Sequence, residues 1–369
     1  MENMVNQEYF EAVYAGKKVF LTGHTGFKGS WLLCWLHQLG AEVKGYSLAP
    51  ENEEDLYNLI SGDNLCQSVI ADIRDKDKIK KEILDFQPDF IFHLAAQPLV
   101  RLSYEIPSDT FEINAIGTAY LLDAVQELTK PCSVVLITTD KVYDNKEWHY
   151  PYRENDRLGG YDPYSASKAA TEIVISSYRN SFFNTKNYEH HHKAIASARA
   201  GNVIGGGDWA KDRIIPDIVR AIRNHQPIEV RNPNAVRPWQ HVLEPLSGYL
   251  LLACKLQEDP IRYADAWNFG PYMEDNLTVK ELVEHAIETF GTGSYYTPQY
   301  QNALHEAKLL KLDINKAVNE LGWKPVFSAA EAIQITMDWY KSVDIAAIER
   351  NNLNIEYYLN FSKSEKIAY

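Results

Sequence analysis

The sequence predicts a doubly wound α/β fold, a parallel sheet covered by helices on both faces, followed by a smaller mixed α/β domain. Three observations carry that reading. Apolar runs of strand length alternate with segments of helical period from Lys17 to Ala200. The runs are nearly continuous rather than alternating, as strands buried on both faces are. After Ala200 the rhythm breaks into Gly-, Pro- and Trp-rich stretches that last to Gln240.

The elements follow in order. Residues 18–22 read as the first strand and 27–39 as the helix after it. Residues 42–48, 67–71, 90–95, 133–139 and 194–200 are the later strands; 77–86, 109–128 and 165–183 are the helices between them. Strands separated by helices pair in parallel through crossovers. Past the break, a helix at 242–256, a short strand at 267–269 and helices at 279–290 and 314–321 make up a mixed region. We therefore expect residues 1–200 to form the first domain, with later returns from about 241–265, and 201–369 to be mainly a second domain.

Composition removes several classes of function. The 369 residues hold 37 Lys+Arg against 50 Asp+Glu, a net charge of −13; a nucleic-acid binder needs a basic surface to neutralise phosphates. Apolar residues at 45% and aromatic residues at 12% exclude a disordered chain. No apolar stretch reaches the roughly 18 residues of a membrane span. Residues 1–15 carry Glu2, Glu8 and Glu11 and lack the basic and apolar regions of a secretory signal, so the expected location is cytoplasmic. Cys34, Cys66, Cys132 and Cys254 are scattered without ligand spacing, predicting free thiols and no metal site. The run His190-His191-His192 reads as a surface loop, because three adjacent imidazoles do not converge on one ion.

Gly23-His24-Thr25-Gly26-Phe27-Lys28-Gly29 follows the first strand and opens a helical pattern. That G-x-x-G-x-x-G spacing gives a tight turn, a close backbone approach to a pyrophosphate and a helix N-terminus aimed at it. The expected ligand is a dinucleotide on a Rossmann-type fold, touching Gly23, Thr25, Gly26, Phe27, Lys28 and Gly29. No acidic residue closes the second strand for the adenosine ribose. Residues 45–73 hold no Lys or Arg for a 2′-phosphate, which favours NAD over NADP. Asp72 and Ile73 at the end of the third strand, and Leu94, Ala95 and Ala96 at the end of the fourth, complete the expected cofactor set.

Tyr164 and Lys168 stand four apart near the start of a helix and project from one face. A tyrosine that works as a base near pH 7 needs roughly 4 kcal/mol of extra preference for phenolate; a neighbouring ammonium and a positive nicotinamide ring supply it. The preceding strand ends in Thr138-Thr139-Asp140-Lys141-Val142-Tyr143, at the sheet edge where such folds bind ligands.

On these residues the sequence resembles the extended short-chain dehydrogenase/reductase family and, within it, the nucleotide-sugar 4,6-dehydratases. The resemblance runs from Gly23 to the closing 313–325 segment. Residues 22–32, 139–143 and 199–209 look like the members that act on CDP-glucose. It implies a lyase reaction run as an internal redox cycle. Hydride leaves C4 for NAD⁺ while Tyr164 takes the hydroxyl proton and Thr139 orients the oxygen; water is lost across C5–C6; hydride returns to C6. By motif position Asp140 protonates the departing hydroxyl. Lys141 stands where related enzymes carry a Glu that abstracts the C5 proton, so it is a neutral base, a relay or a stabiliser of the enolate.

Residues 199–240 hold seven Lys+Arg against four Asp+Glu, a local +3 suited to a substrate diphosphate. The resemblance makes Arg237 the substrate-phosphate arginine and Asn202 and Asn268 substrate-domain asparagines. Arg213 joins them as a candidate, with Gln97 and Asn114 lining the site; Arg220 and Arg223 read as a solvated helix face. A homo-oligomer, dimer or tetramer, and a place in dideoxysugar synthesis for surface polysaccharide are implied by the resemblance alone. The alternatives are a dehydratase or 4-epimerase of another nucleotide sugar, and an inactive NAD-sensing protein of the same fold.

Overall fold

The structure, a computed structural model, describes residues 5–298 and 309–364. Seven strands form one sheet: β1 (Lys18–Thr22), β2 (Glu42–Ser47), β3 (Gln67–Ile70), β4 (Phe90–His93), β5 (Cys132–Ile137), β6 (Lys193–Ala200) and β7 (Ala266–Phe269). Their order is β7-β6-β5-β4-β1-β2-β3, and every pair is parallel. The order reverses between β1 and β4, which opens a crevice at the carboxyl edge of the sheet. Thr22 pairs with Tyr46 on one side and His93 on the other, so the strand ends that face the crevice lie level.

Alternate residues fill two cores, one on each face. Phe20, Ile91 and Val134 pack with Ile79, Ile83, Leu121 and Ile175. Leu21, Phe92 and Val135 pack on the other side with Trp31, Trp35, Leu246 and Leu250. Helix Leu243–Glu258 is almost wholly buried because it lies inside this second layer. The helix Gln7–Tyr14, which the strand rhythm did not signal, is capped by Asn6 and anchored where the Tyr14 hydroxyl donates to the Leu250 carbonyl at 2.7 Å.

One assignment changes. The strand expected at 267–269 in the second domain is β7, the edge of the main sheet, paired with β6 from Ala266↔Ser197 to Phe269↔Ala200. The return to the first domain thus runs past 265. Outside this sheet lie helices Ile214–Arg223, Val279–Phe290 and Ala329–Lys341 and three two-stranded pieces, including Val236–Arg237 against Leu277–Thr278. Trp31 Nε1, on the helix after the glycine turn, donates to the Gly206 carbonyl at 2.9 Å and ties the segment after β6 to it; farther along, the Tyr340 hydroxyl donates to the Asp208 carbonyl at 2.7 Å and braces that segment. Among the described residues no helix is long and apolar enough to cross a membrane.

Candidate active site

The glycine turn separates what the fold needs from what it leaves open. Gly23 sits at φ +74°, and a Cβ on Gly29 would come within 1.9 Å of the Gly23 carbonyl oxygen; the turn itself forbids side chains at both. Gly26 is different. Its φ is −75°, and a Cβ there would meet only the Gly23 oxygen at an ordinary 3.4 Å. It is exposed at the N-terminus of helix Phe27–Gln38, which no side chain caps. The protein leaves this approach to backbone amides clear, and a pyrophosphate fits it. Thr25 supports the turn: its hydroxyl lies 2.8 Å from both the Ser47 hydroxyl and the Leu48 carbonyl. Leu94 and Ala95 are tied in as their amides donate to the Thr22 hydroxyl, each at 3.1 Å.

The adenosine end departs from the simple expectation. Asp72 is gripped by Arg74, which donates to both carboxylate oxygens at 2.7–3.1 Å; this pairing holds the carboxyl below its usual range. Arg74, one residue beyond the cation-free window, is thereby neutralised. Ile73 is buried in the sheet core. His24, which spacing did not single out, lies over the paired Gly45 and Ser68 of β2 and β3, its Nε2 2.9 Å from the Ser68 hydroxyl. Burial pushes its imidazole down to about 4. The signal for it was Gly45 in the middle of β2, where a Cβ would fall 2.4 Å from the His24 ring.

The catalytic candidates converge. Helix Pro163–Ser181 starts at Asp162, whose carboxylate accepts from the Ser165 amide at 2.9 Å, with Pro163 in the first turn. That places Tyr164 and Lys168 at the carboxyl end of β5, where both are buried. Lys168 Nζ donates to the Ile137 carbonyl at 3.3 Å. Thr139 donates to Asp140 at 2.9 Å, and Lys141 Nζ stands 5.8 Å from the centre of the Tyr164 ring. Burial pushes the Asp140 carboxyl up, against the pull of Lys141, Thr139 and Arg237, so it holds a proton more readily than a solvated Asp.

The lysines and the tyrosine follow the same physics. Burial lowers Lys168 to about 8, with Glu172 opposing. Burial and the charges of Arg213 and Lys168 bring Lys28 to about 7. Tyr164 departs from expectation: burial raises it to about 12, Thr139 and Arg213 pull it down, and Asp140 pushes it up. The sequence reading has Lys168 and a nicotinamide ring lowering it together; in the protein alone desolvation outweighs its neighbours.

Of the substrate candidates, Arg213 faces the site. It is paired with Asp208 at 2.9 Å and acts on both Tyr164 and Lys28. Arg237 acts on Asp140 and donates to the Val236 carbonyl. The Asn202 carbonyl accepts from the Gln240 amide, which brings it beside the same strip. Three others are committed to the scaffold. Asn114 exchanges hydrogen bonds with the Gln97 backbone and donates to Ser167. Gln97 spends its amide on Leu99 and Thr110. Asn268 is fully buried, accepting from Tyr143 at 2.7 Å and donating to the carbonyls of Tyr152 and Asp313; both of its side-chain donors are spent inside the protein. Part of the local +3 is met from outside the segment, since Arg199 pairs with Glu172 and Arg223 with Glu54, while Arg220 and Arg231 pair within it with Asp217 and Asp212.

The family model for GDP-mannose 4,6 dehydratase matches residues 20–336. The chain belongs to that dehydratase family, within the extended short-chain dehydrogenases/reductases. This dehydratase-family chain is 49% identical over 339 residues to the CDP-glucose 4,6-dehydratase of Salmonella typhimurium, covering 92% of this chain and 93% of the relative. It is 27% identical to the CDP-paratose 2-epimerase of Salmonella typhi, over 88% of this chain and 100% of that one. Among solved structures, the dTDP-glucose 4,6-dehydratase DesIV of Streptomyces venezuelae with NAD and TYD bound superposes with a TM-score of 0.75 at 24% identity, over 88% and 97% of the two chains. The NAD complex of Thermus thermophilus UDP-glucose 4-epimerase gives 0.75 at 24%, over 88% and 99%. These likenesses establish the Rossmann fold with its appended domain.

Proposed function

We propose that the protein is an NAD-dependent hydro-lyase that converts CDP-glucose to CDP-4-keto-6-deoxyglucose and water. The observation that carries the reaction class is the buried Asp140, its carboxyl raised by desolvation, beside Lys141 at the Tyr164 ring. A 4-epimerase removes and returns hydride at one carbon and has no use for an acid and base flanking C5 and C6. The 49% relative over nearly the full length of both chains supports the CDP-glucosyl substrate.

NAD fits the open Gly26 approach, with Gly23, Thr25, Phe27, Lys28 and Gly29 forming the turn and Asp72, Ile73, Leu94, Ala95 and Ala96 the rim. When bound, NAD⁺ supplies the hydride acceptor and a positive ring. Tyr164 takes the C4 hydroxyl proton. Bringing its phenol from about 12, a value that already includes the pull of Thr139 and Arg213, to neutrality requires about 7 kcal/mol more in favour of phenolate. Thr139 orients the C4 oxygen. Lys141 moves the C5 proton, and Asp140, whose burial favours the protonated form, gives a proton to the leaving C6 hydroxyl. Arg213 and Arg237 hold the diphosphate, with Asn202 beside them.

We further propose a cytoplasmic homo-oligomer supplying deoxysugar synthesis, with residues 1–200 and the 241–269 return as the cofactor domain. Exposed Phe111, Ile116 and Ile173 on the helices flanking β5 support self-association through that face. Incubation with CDP-, dTDP-, UDP- and GDP-sugars, followed by the alkali-induced absorbance of a 4-keto-6-deoxy sugar, tests the substrate. Signal with CDP-glucose is expected; silence there with signal from another nucleotide overturns the base assignment.

A further inference from the structure

Beneath the reacting groups lies a buried ion pair that the mechanism above does not use. Glu172 and Arg199 are 2.7 Å apart with side chains 3% and 4% exposed. Such a pair is weak support for stability, because desolvation offsets its attraction. What it holds is more informative. Glu172 lies on the same face of helix Pro163–Ser181 as Tyr164 and Lys168, at successive spacings of four. Its Oε1 accepts from the Thr138 hydroxyl, at 2.5 Å, and its Oε2 from Ser197 at 2.9 Å. Arg199 donates to the Tyr143 hydroxyl at 2.8 Å and to the Glu154 carbonyl at 2.9 Å. The Tyr143 hydroxyl in turn donates to the Asn268 side-chain oxygen, and the Asn268 backbone N–H donates to the Glu154 carboxylate at 2.9 Å.

Thr138 and Tyr143 bracket the strip Thr139-Asp140-Lys141, and both are fastened to the same ion pair. One helix face therefore grips the end of β5 in sequence: Lys168 holds the Ile137 carbonyl, and Glu172 holds the Thr138 hydroxyl. We propose that Glu172 and Arg199 are positioning residues, a buried pair that fixes both ends of the Thr139-Asp140-Lys141 strip against Tyr164 and Lys168. The inference rests on the functional reading above for the identity of the reacting groups.

The charges around the pair are few. Arg179 and Lys168 face Glu172 from its own helix and Arg199 from β6; Lys168 is faced by Glu172, by Lys28 from the glycine turn and by His93 from β4. Glu172 is the group that holds Lys168 up against burial, which gives the proposal a readout apart from turnover. The test uses Glu172→Gln, which keeps the shape and an acceptor for Thr138 but removes the charge, and Thr138→Val, which frees one end of the strip and leaves the pair intact. In Glu172→Gln, kcat is expected to fall about 10²-fold with KM for CDP-glucose unchanged. The pH midpoint of Lys168 acetylation by acetic anhydride, read by mass spectrometry, is expected to move down by about one unit. Glu172→Asp should return the midpoint toward wild type. Thr138→Val should lower kcat with the midpoint unchanged. A Glu172→Gln protein that is only less heat-stable, with wild-type kcat and midpoint, overturns the proposal. If that variant does not fold, Thr138→Val decides: wild-type kcat overturns the proposal and reduced kcat upholds it. A wild-type protein inert toward CDP-glucose refutes the substrate reading, while the acetylation midpoints still decide the positioning role.

Discussion

Replacing Lys168 by Met should cost the enzyme its activity and make the protein more stable, by an amount that depends on pH. Lys168 is buried, and its ammonium is lowered from 10.5 to about 8 chiefly by desolvation. Each unit corresponds to about 1.4 kcal/mol, so the charged form is disfavoured in the folded state by about 3 kcal/mol. The sign follows from linkage. A group whose folded pKa is depressed favours folding above its unfolded pKa and loses that advantage as pH falls through the folded value. At pH 7 the wild-type protein carries nearly the whole penalty, and Met removes it. At pH 9 the same two pKa values leave about 2 kcal/mol. Loss of the hydrogen bond to the Ile137 carbonyl sets about 1 kcal/mol against the gain. Lys168→Met should thus be about 2 kcal/mol more stable at pH 7, with the gain about 1 kcal/mol smaller at pH 9, while turnover falls at least about 10²-fold. Urea denaturation at the two pH values measures it. A variant less stable than wild type at pH 7, or a gain equal at both pH values, refutes the claim that desolvation depresses this lysine.

The other expectations concern separate parts of the site. Gly29→Ala should lower the melting temperature sharply, since its Cβ falls 1.9 Å from a carbonyl oxygen, whereas Gly26→Ala should melt as wild type and bind NAD about tenfold or more weakly; calorimetry and titration separate the two, and equal binding by Gly26→Ala would displace the pyrophosphate from this turn. Asn268→Ala leaves one buried hydroxyl and two carbonyls without their partner and should cost about 2–3 kcal/mol of stability; wild-type stability with a raised KM would return Asn268 to the substrate. Asp140→Asn should fold normally and slow elimination about 10²-fold or more, with C5 proton exchange in deuterated water, followed by NMR, persisting; loss of exchange together with elimination would give Asp140 the role assigned to Lys141. Arg237→Ala should raise KM for CDP-glucose about 10- to 100-fold, the value of a charged hydrogen bond, and an unchanged KM would remove it from the diphosphate.

What was legible in the sequence was local. The six strands from Lys18 to Ala200 are short apolar runs whose partners follow from crossover geometry, and they formed as expected. The glycine turn and the Tyr164/Lys168 pair are legible because one stretch of backbone sets their spacing. β7 was assigned to the wrong domain because four residues carry no mark of their partner, and only the register with β6 decides it. Asn268 has a similar history. The motif offers an asparagine, but its four groups are consumed by Tyr143, Tyr152, Asp313 and Glu154 from distant parts of the chain. The raised phenol of Tyr164 in the protein alone was not legible for a physical reason: spacing reveals a neighbouring cation but not desolvation, and desolvation dominates at a buried phenol. The local +3 points to the arginines of this segment, yet spacing alone does not show which of them face the reacting groups, as Arg213 and Arg237 do.

The central claim is that hydride removed from C4 is held and returned within one active site to C6. CDP-glucose carrying deuterium at C4 tests it directly, by NMR of the product. The account predicts CDP-4-keto-6-deoxyglucose with deuterium on its C6 methyl carbon. Deuterium still at C4, in unchanged or epimerised sugar, would contradict it, as would a 4-keto-6-deoxy product whose methyl group carries none.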